Sequence, residues 1–145
     1  MSSRRSVSAT RTIAAPAPAI FNFLADPRQH AQFNGSDSVR GVKDAPAPLY
    51  LGARFAMDMK VGVPYLIRNV VVEYEENRSI AWHHFARFVW RYDLEEVRGG
   101  AKVSESFTYG QPWALVIIRL GLPKRNRRAM AASLERLERL VTSSR

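Results

Sequence analysis

From residue 53 to residue 109 the side chains alternate between apolar and polar with period two, broken only by turn-forming residues, and after Pro112 the period lengthens to 3.6. Such a chain must build a run of antiparallel strands followed by one long helix with a single apolar face to bury. In "ARFAMDMK" (53–60), Phe55, Met57 and Met59 share one face against Arg54, Ala56, Asp58 and Lys60. "LIRNVVVEY" (66–74) is a β-branched strand closed by the polar turn "EENR", and strands over 79–85 and 87–97 follow. Gly99-Gly100 turns the chain tightly into "AKVSESFTY" (101–109). Met130, Leu134, Leu137 and Val141 then fall at i, i+4, i+7 and i+11, with Glu135, Arg136 and Arg139 off the stripe. Pro123 allows this helix to start near Lys124.

Upstream, Val7, Ala9 and Ile13 alternate with Ser and Thr as a strand in which Arg11 is the one imperfect position. Ile20, Phe21 and Leu24 share a face of a short helix entered at Pro16 or Pro18, and Asp26 ends it and caps a second one entered through Pro27. The turn "NGSD" leads to a short strand, "VRGVK" (39–43). The expected order is a strand, two short helices, a curved antiparallel sheet of six to seven strands in all, and a long C-terminal helix, an α+β architecture. At 145 residues this fits one domain over 1–145 with a core of its own, the ends 1–5 and 143–145 being expected to be flexible.

The chain has no cysteine, which excludes disulfides, thiolate catalysis and cysteine-bound metal, and points to a cytoplasmic protein. No cofactor is expected. The twin arginines of "SRRSV" (3–7) do not read as an export signal, because Arg11, two prolines and Asn22 interrupt the apolar run behind them. "WALVIIRLGL" (113–122) is too short to span a membrane and contains Arg119. The net charge of +9 gathers after Trp113, most densely in "PKRNRR" (123–128). That run is a solvated helix face or a weak contact for an anionic membrane, through 113–128. Nucleic acid is disfavoured because the aromatic residues point inside.

Parity along the strands selects the interior. In 87–97, Phe88, Trp90, Tyr92 and Leu94 oppose Arg87, Arg91, Asp93 and Glu95, so the aromatic face points inward. In 79–85 the cost of exposing Trp82 turns Trp82 and His84 inward and His83 to solvent. Adjacent strand residues project oppositely, so His83 and His84 cannot share a metal ion, and His30 is remote in sequence. Val103 and Phe107 carry Glu105 inside with Tyr109. A carboxyl there is either a structural partner of a backbone group, an arginine such as Arg68 or a water, or a functional group with a raised pKa.

"RTIAAPAPAIFNFLADPRQHAQF", "VVVEYEENRSIAW", "VWRYDLEEVRGGAKVSESF" and "SLERLERLV" together resemble the START-like superfamily, and within it the polyketide cyclase/dehydrase-like SRPBCC proteins. The resemblance implies a helix-grip fold, with the sheet wrapped around the closing helix and a hydrophobic cavity between them. It does not choose among carriers, receptors, cyclases and regulatory partners. The leading expectation is binding of a small hydrophobic molecule, a lipid, polyketide or aromatic metabolite. Phe55, Met57, Met59, Trp82, His84, Trp90, Tyr92, Glu105, Phe107, Met130 and Leu134 are the candidate wall. The alternatives are a cyclase or dehydratase with Glu105, His84 and Tyr92 as acid–base groups, and a peripheral interaction protein that uses the basic C-terminal segment. Monomer and homodimer stay open.

Overall fold

The computed structural model describes residues 6–33, 39–43, 48–61, 63–83, 88–109 and 122–143. Its strands are β1 (Ser6–Ile13), β2 (Val39–Lys43), β3 (Arg54–Val61), β4 (Val63–Glu75), β5 (Ser79–His83), β6 (Val89–Val97) and β7 (Gly100–Thr108). They form one antiparallel sheet in the order β1-β7-β6-β5-β4-β3-β2, so β2 to β7 run as a meander and β1 pairs with its last strand. The helices are α1 (Ala17–Leu24), α2 (His30–Phe33) and α3 (Leu122–Ser143), with a 3-10 turn at Pro27–Gln29 between the first two. This is the expected α+β helix grip.

Local chemistry sets most of the boundaries. Pro18 occupies the first turn of α1, where a missing N–H costs no hydrogen bond. Asp26 caps the 3-10 turn by accepting the Arg28 backbone N–H at 3.0 Å. In the β4–β5 turn Asn77 takes φ +65°, a left-handed conformation that asparagine tolerates better than most residues. The two adjacent glycines differ in purpose. Gly99 supplies φ +86° in the β6–β7 turn, whereas a Cβ on Gly100 would stand 2.0 Å from the Ile13 carbonyl oxygen at the end of β1.

The stripe on α3 is buried as its spacing requires: Met130, Leu134, Leu137 and Val141 are all sealed from solvent. Arg11, the imperfect position of β1, faces this helix and donates from Nε to Glu138 Oε1 at 2.8 Å. At the other end of α3, Asn126 Nδ2 donates to the Tyr109 hydroxyl at 2.7 Å. The close backbone approaches of α3 among the described residues are to β1, β7, α1 and α2. Through its side chains α3 reaches the middle strands: Leu134 and Leu137 share a core cluster with Phe55, Met57, Trp82 and Tyr92.

Two features depart from simple alternation. β4 begins earlier than its apolar pattern suggests, and a bulge between Val71 and Glu73 leaves Val72 exposed and brings Tyr74 to the inner side, where it meets Phe21 edge-on. Ala81, on the outer face of β5, is buried although its parity points away from the helix. Its cross-strand neighbours are Glu73 and Arg91, whose side chains bond to each other and so roof the small residue between them. His83, on that same outer face, is partly buried rather than open to solvent.

Candidate functional site

β7 places Val103, Glu105 and Phe107 on the inner face, and Glu105 is completely buried. Its cross-strand neighbours are Tyr92 on β6 and Ala9 on β1. Oε2 accepts the Trp90 indole N–H at 2.9 Å, while Oε1 has no hydrogen-bond partner. Arg68, a possible partner on the sequence, is exposed on the outer face and does not serve; the indole does. Removal from water pushes the Glu105 carboxyl up to about 8, against the opposing pull of Tyr92 and Trp90, so it is mostly protonated near neutrality. Burial first, then the charge of Glu105, drives the Tyr92 phenol well above its usual value.

Around this carboxyl the interior forms two clusters of rings. In one, Trp82 lies edge-on to Phe55 (5.6 Å between ring centroids) and tilted against Tyr92 (6.0 Å), with Met57 and Leu134 in the same core. In the other, Phe107 packs 4.7 Å from Trp90 and 5.0 Å from Tyr109, over Met130. Trp90 and Ala9 touch both clusters, which puts Glu105 at their junction. Trp90 itself is only partly buried. Of the candidate wall, Phe55, Met57, Trp82, Trp90, Tyr92, Glu105, Phe107, Met130 and Leu134 are thus brought to the inner side. His84 lies outside the described residues, as does the side chain of Met59.

The sequence reading missed His30. The turn capped by Asp26 folds α2 back so that the His30 ring stacks on Trp82, with centroids 5.1 Å apart and planes 17° apart, and meets Phe33 and Phe55 edge-on. Its Nε2 bonds to the Leu24 carbonyl at 3.0 Å. Burial lowers its pKa to about 4, so the ring is neutral at pH 7. The signal was available only as the Asp-Pro step before it; the fold, not the spacing, joins residue 30 to residue 82. His30 Nδ1 and Trp82 Nε1, like Glu105 Oε1, are buried without a partner.

Elsewhere, a groove of about 690 Å³ opens at the end of the sheet that carries the β4–β5 turn, lined chiefly by Glu73, Glu75, Arg78, Arg91, Asp93 and Glu95. It is charged, open to solvent and contains none of the candidate wall residues. Lys124, Arg125, Arg127 and Arg128 are exposed on the first turns of α3, while residues 110–121 lie outside the described set.

Residues 4–142 match the family described as polyketide cyclase/dehydrase and lipid transport. The chain belongs to that family. The chain is 37% identical over 105 residues to the uncharacterized protein Rv0088 of Mycobacterium tuberculosis. That match covers 71% of this chain and 47% of the relative, so the chain spans about half the length of the curated relatives it matches. Among solved structures, protein NE0264 of Nitrosomonas europaea aligns with a TM-score of 0.77 at 12% identity, covering 99% of this chain and 98% of that one. Protein Ms6760 of Mycobacterium smegmatis aligns with a TM-score of 0.73 at 20% identity, covering 100% and 96%. These likenesses establish the shared fold. Membership of the polyketide cyclase/dehydrase and lipid transport family suggests hydrophobic-ligand binding. Among the described residues, no helix is long and apolar enough to cross a membrane.

Proposed function

We propose that this chain binds a small hydrophobic molecule, of lipid, polyketide or aromatic character, between the inner face of its sheet and α3. The observation that carries the reading is that Glu105 Oε1, His30 Nδ1 and Trp82 Nε1 are among the buried polar atoms without a hydrogen-bond partner and lie in a largely apolar interior. A core packed for stability alone seldom leaves such groups unsatisfied, since each open one costs about 1–3 kcal/mol. An apolar pocket with a few convergent polar groups is the usual form of a small-molecule site. The rings of Phe55, Trp82, Tyr92 and Phe107 supply the apolar contact, and Glu105 orients a polar group of the ligand.

The neutral fluorescent probe N-phenyl-1-naphthylamine tests this. It is expected to bind saturably, at one site per chain, and Leu134→Trp, which projects bulk from α3 toward the sheet, is expected to weaken it by about tenfold or more. Absence of saturable binding, or binding indifferent to Leu134→Trp in a folded variant, contradicts the reading. One observation favours a second reading: Glu105 and Tyr92 are cross-strand neighbours, and after burial the charge of Glu105 is what raises the Tyr92 phenol. A carboxyl near pKa 8 beside a phenol is suited to acid–base steps of a cyclisation or dehydration. In that case Glu105→Gln abolishes turnover while leaving probe affinity in place.

A further inference from the structure

The stacked pair of His30 and Trp82 specifies one kind of ligand group. Because a carbonyl oxygen only accepts, the bond from His30 Nε2 to Leu24 O fixes the proton on Nε2 and leaves Nδ1 as a bare acceptor. The Trp82 indole can only donate. The two rings stack, and each carries a dry nitrogen without a hydrogen-bond partner. A hydroxyl, donor and acceptor in one atom, complements such a pair, whereas a ketone or an ether answers the indole alone.

Charge narrows the class further. His30 is neutral, Glu105 is mostly protonated, and Arg11, the cation on this face of β1, is already bonded to Glu138 at 2.8 Å. A buried carboxylate would find no free counter-ion among the described residues, and burying an unpaired charge is heavily penalised. Resting on the reading of the interior as a ligand site, we infer that His30 and Trp82 form a hydroxyl-binding subsite, and that the ligand is an uncharged molecule whose hydroxyl accepts from Trp82 Nε1 and donates to His30 Nδ1.

The test compares 2-naphthol, naphthalene and 2-naphthoate on the full chain, by affinity and by the ¹H–¹⁵N signals of the tryptophan indoles. The expected order is 2-naphthol tighter than naphthalene by about tenfold, and 2-naphthoate weakest. The Trp82 indole proton shifts downfield with 2-naphthol and not with naphthalene; the Trp90 indole, already bonded to Glu105, stays in place. His30→Phe is expected to bring 2-naphthol to the level of naphthalene while naphthalene itself changes by less than about threefold. Should that variant not fold, the indole signals of the unaltered chain decide alone. Equal affinities of 2-naphthol and naphthalene with an unmoved Trp82 overturn the hydroxyl subsite and leave the ligand site standing. Tightest binding by 2-naphthoate overturns the uncharged ligand. Failure of all three to bind overturns both inferences.

Discussion

On the outer face of the middle strands, Arg91 gives two hydrogen bonds to Glu73, at 2.6 and 2.7 Å, and one to Asp93 at 2.8 Å, while Ser79 adds another to Glu73 at 3.1 Å. On the inner face of those strands and their neighbours, Glu105 has one partner for two oxygens, and His30 and Trp82 each keep a nitrogen open. Arg91, Glu73 and Asp93 are half-exposed, the inner groups sealed. Water would have served the outer carboxylates and guanidinium at little cost, yet they are the ones that pair with one another. The outer network ties β4, β5 and β6 together over Ala81, whereas the inner set keeps open the groups that the proposed ligand would complete.

The contrast is sharpest in stability. Trp82→Ala removes a ring that contacts His30, Phe55 and Tyr92 and is expected to cost about 3–5 kcal/mol in urea unfolding. A cost under about 1 kcal/mol would mean that Trp82 is not part of a packed wall.

Next in size is a pH effect with a definite sign. Folded Glu105 keeps its proton up to about pH 8, while in the unfolded chain it loses it near 4.5. The unfolded state therefore binds fewer protons between these values, and this group's contribution to stability falls as pH rises, by up to about 1.4 kcal/mol per unit. His30 acts oppositely: the unfolded ring takes a proton near 6.5 that the folded ring refuses until about 4, so its contribution is lost as pH drops through that window. The two offset each other between about 4.5 and 6.5, and between about 6.5 and 8 the Glu105 slope stands alone. Glu105→Gln is expected to flatten that upper limb in unfolding curves taken at successive pH values. An unchanged limb would show that the carboxyl is not held protonated.

The smallest effect belongs to the outer face. Arg91 and Glu73 are 36% and 43% exposed at their side chains, so Arg91→Ala is expected to cost about 1 kcal/mol or less, and to cost less still in high salt. A larger, salt-independent loss would make the outer network as deep an element as the inner one and remove the contrast.

What was legible in the sequence follows from what periodicity encodes. Alternation placed Trp82, Tyr92, Glu105 and Phe107 inside, and the spacing of Met130, Leu134, Leu137 and Val141 gave the buried face of α3. Parity runs from one residue to the next, so it could not foresee the bulge at Val71–Glu73, the burial of Ala81 under a bridge between two other strands, or the true partner of Glu105. Arg11 looked like an error in β1 until Glu138, on a helix at the far end of the chain, supplied its mate. His30 was the costliest omission, because its stacking on Trp82 depends on how a capped turn reverses the chain.

A crystal structure of the chain with 2-naphthol bound would test the central claim most directly. It is expected to show the ring between the inner face of the sheet and α3, within contact of Trp82, Glu105 and Leu134. Closure of those side chains on one another, with 2-naphthol found only in the charged groove beside Glu73 and Arg91, would contradict the account.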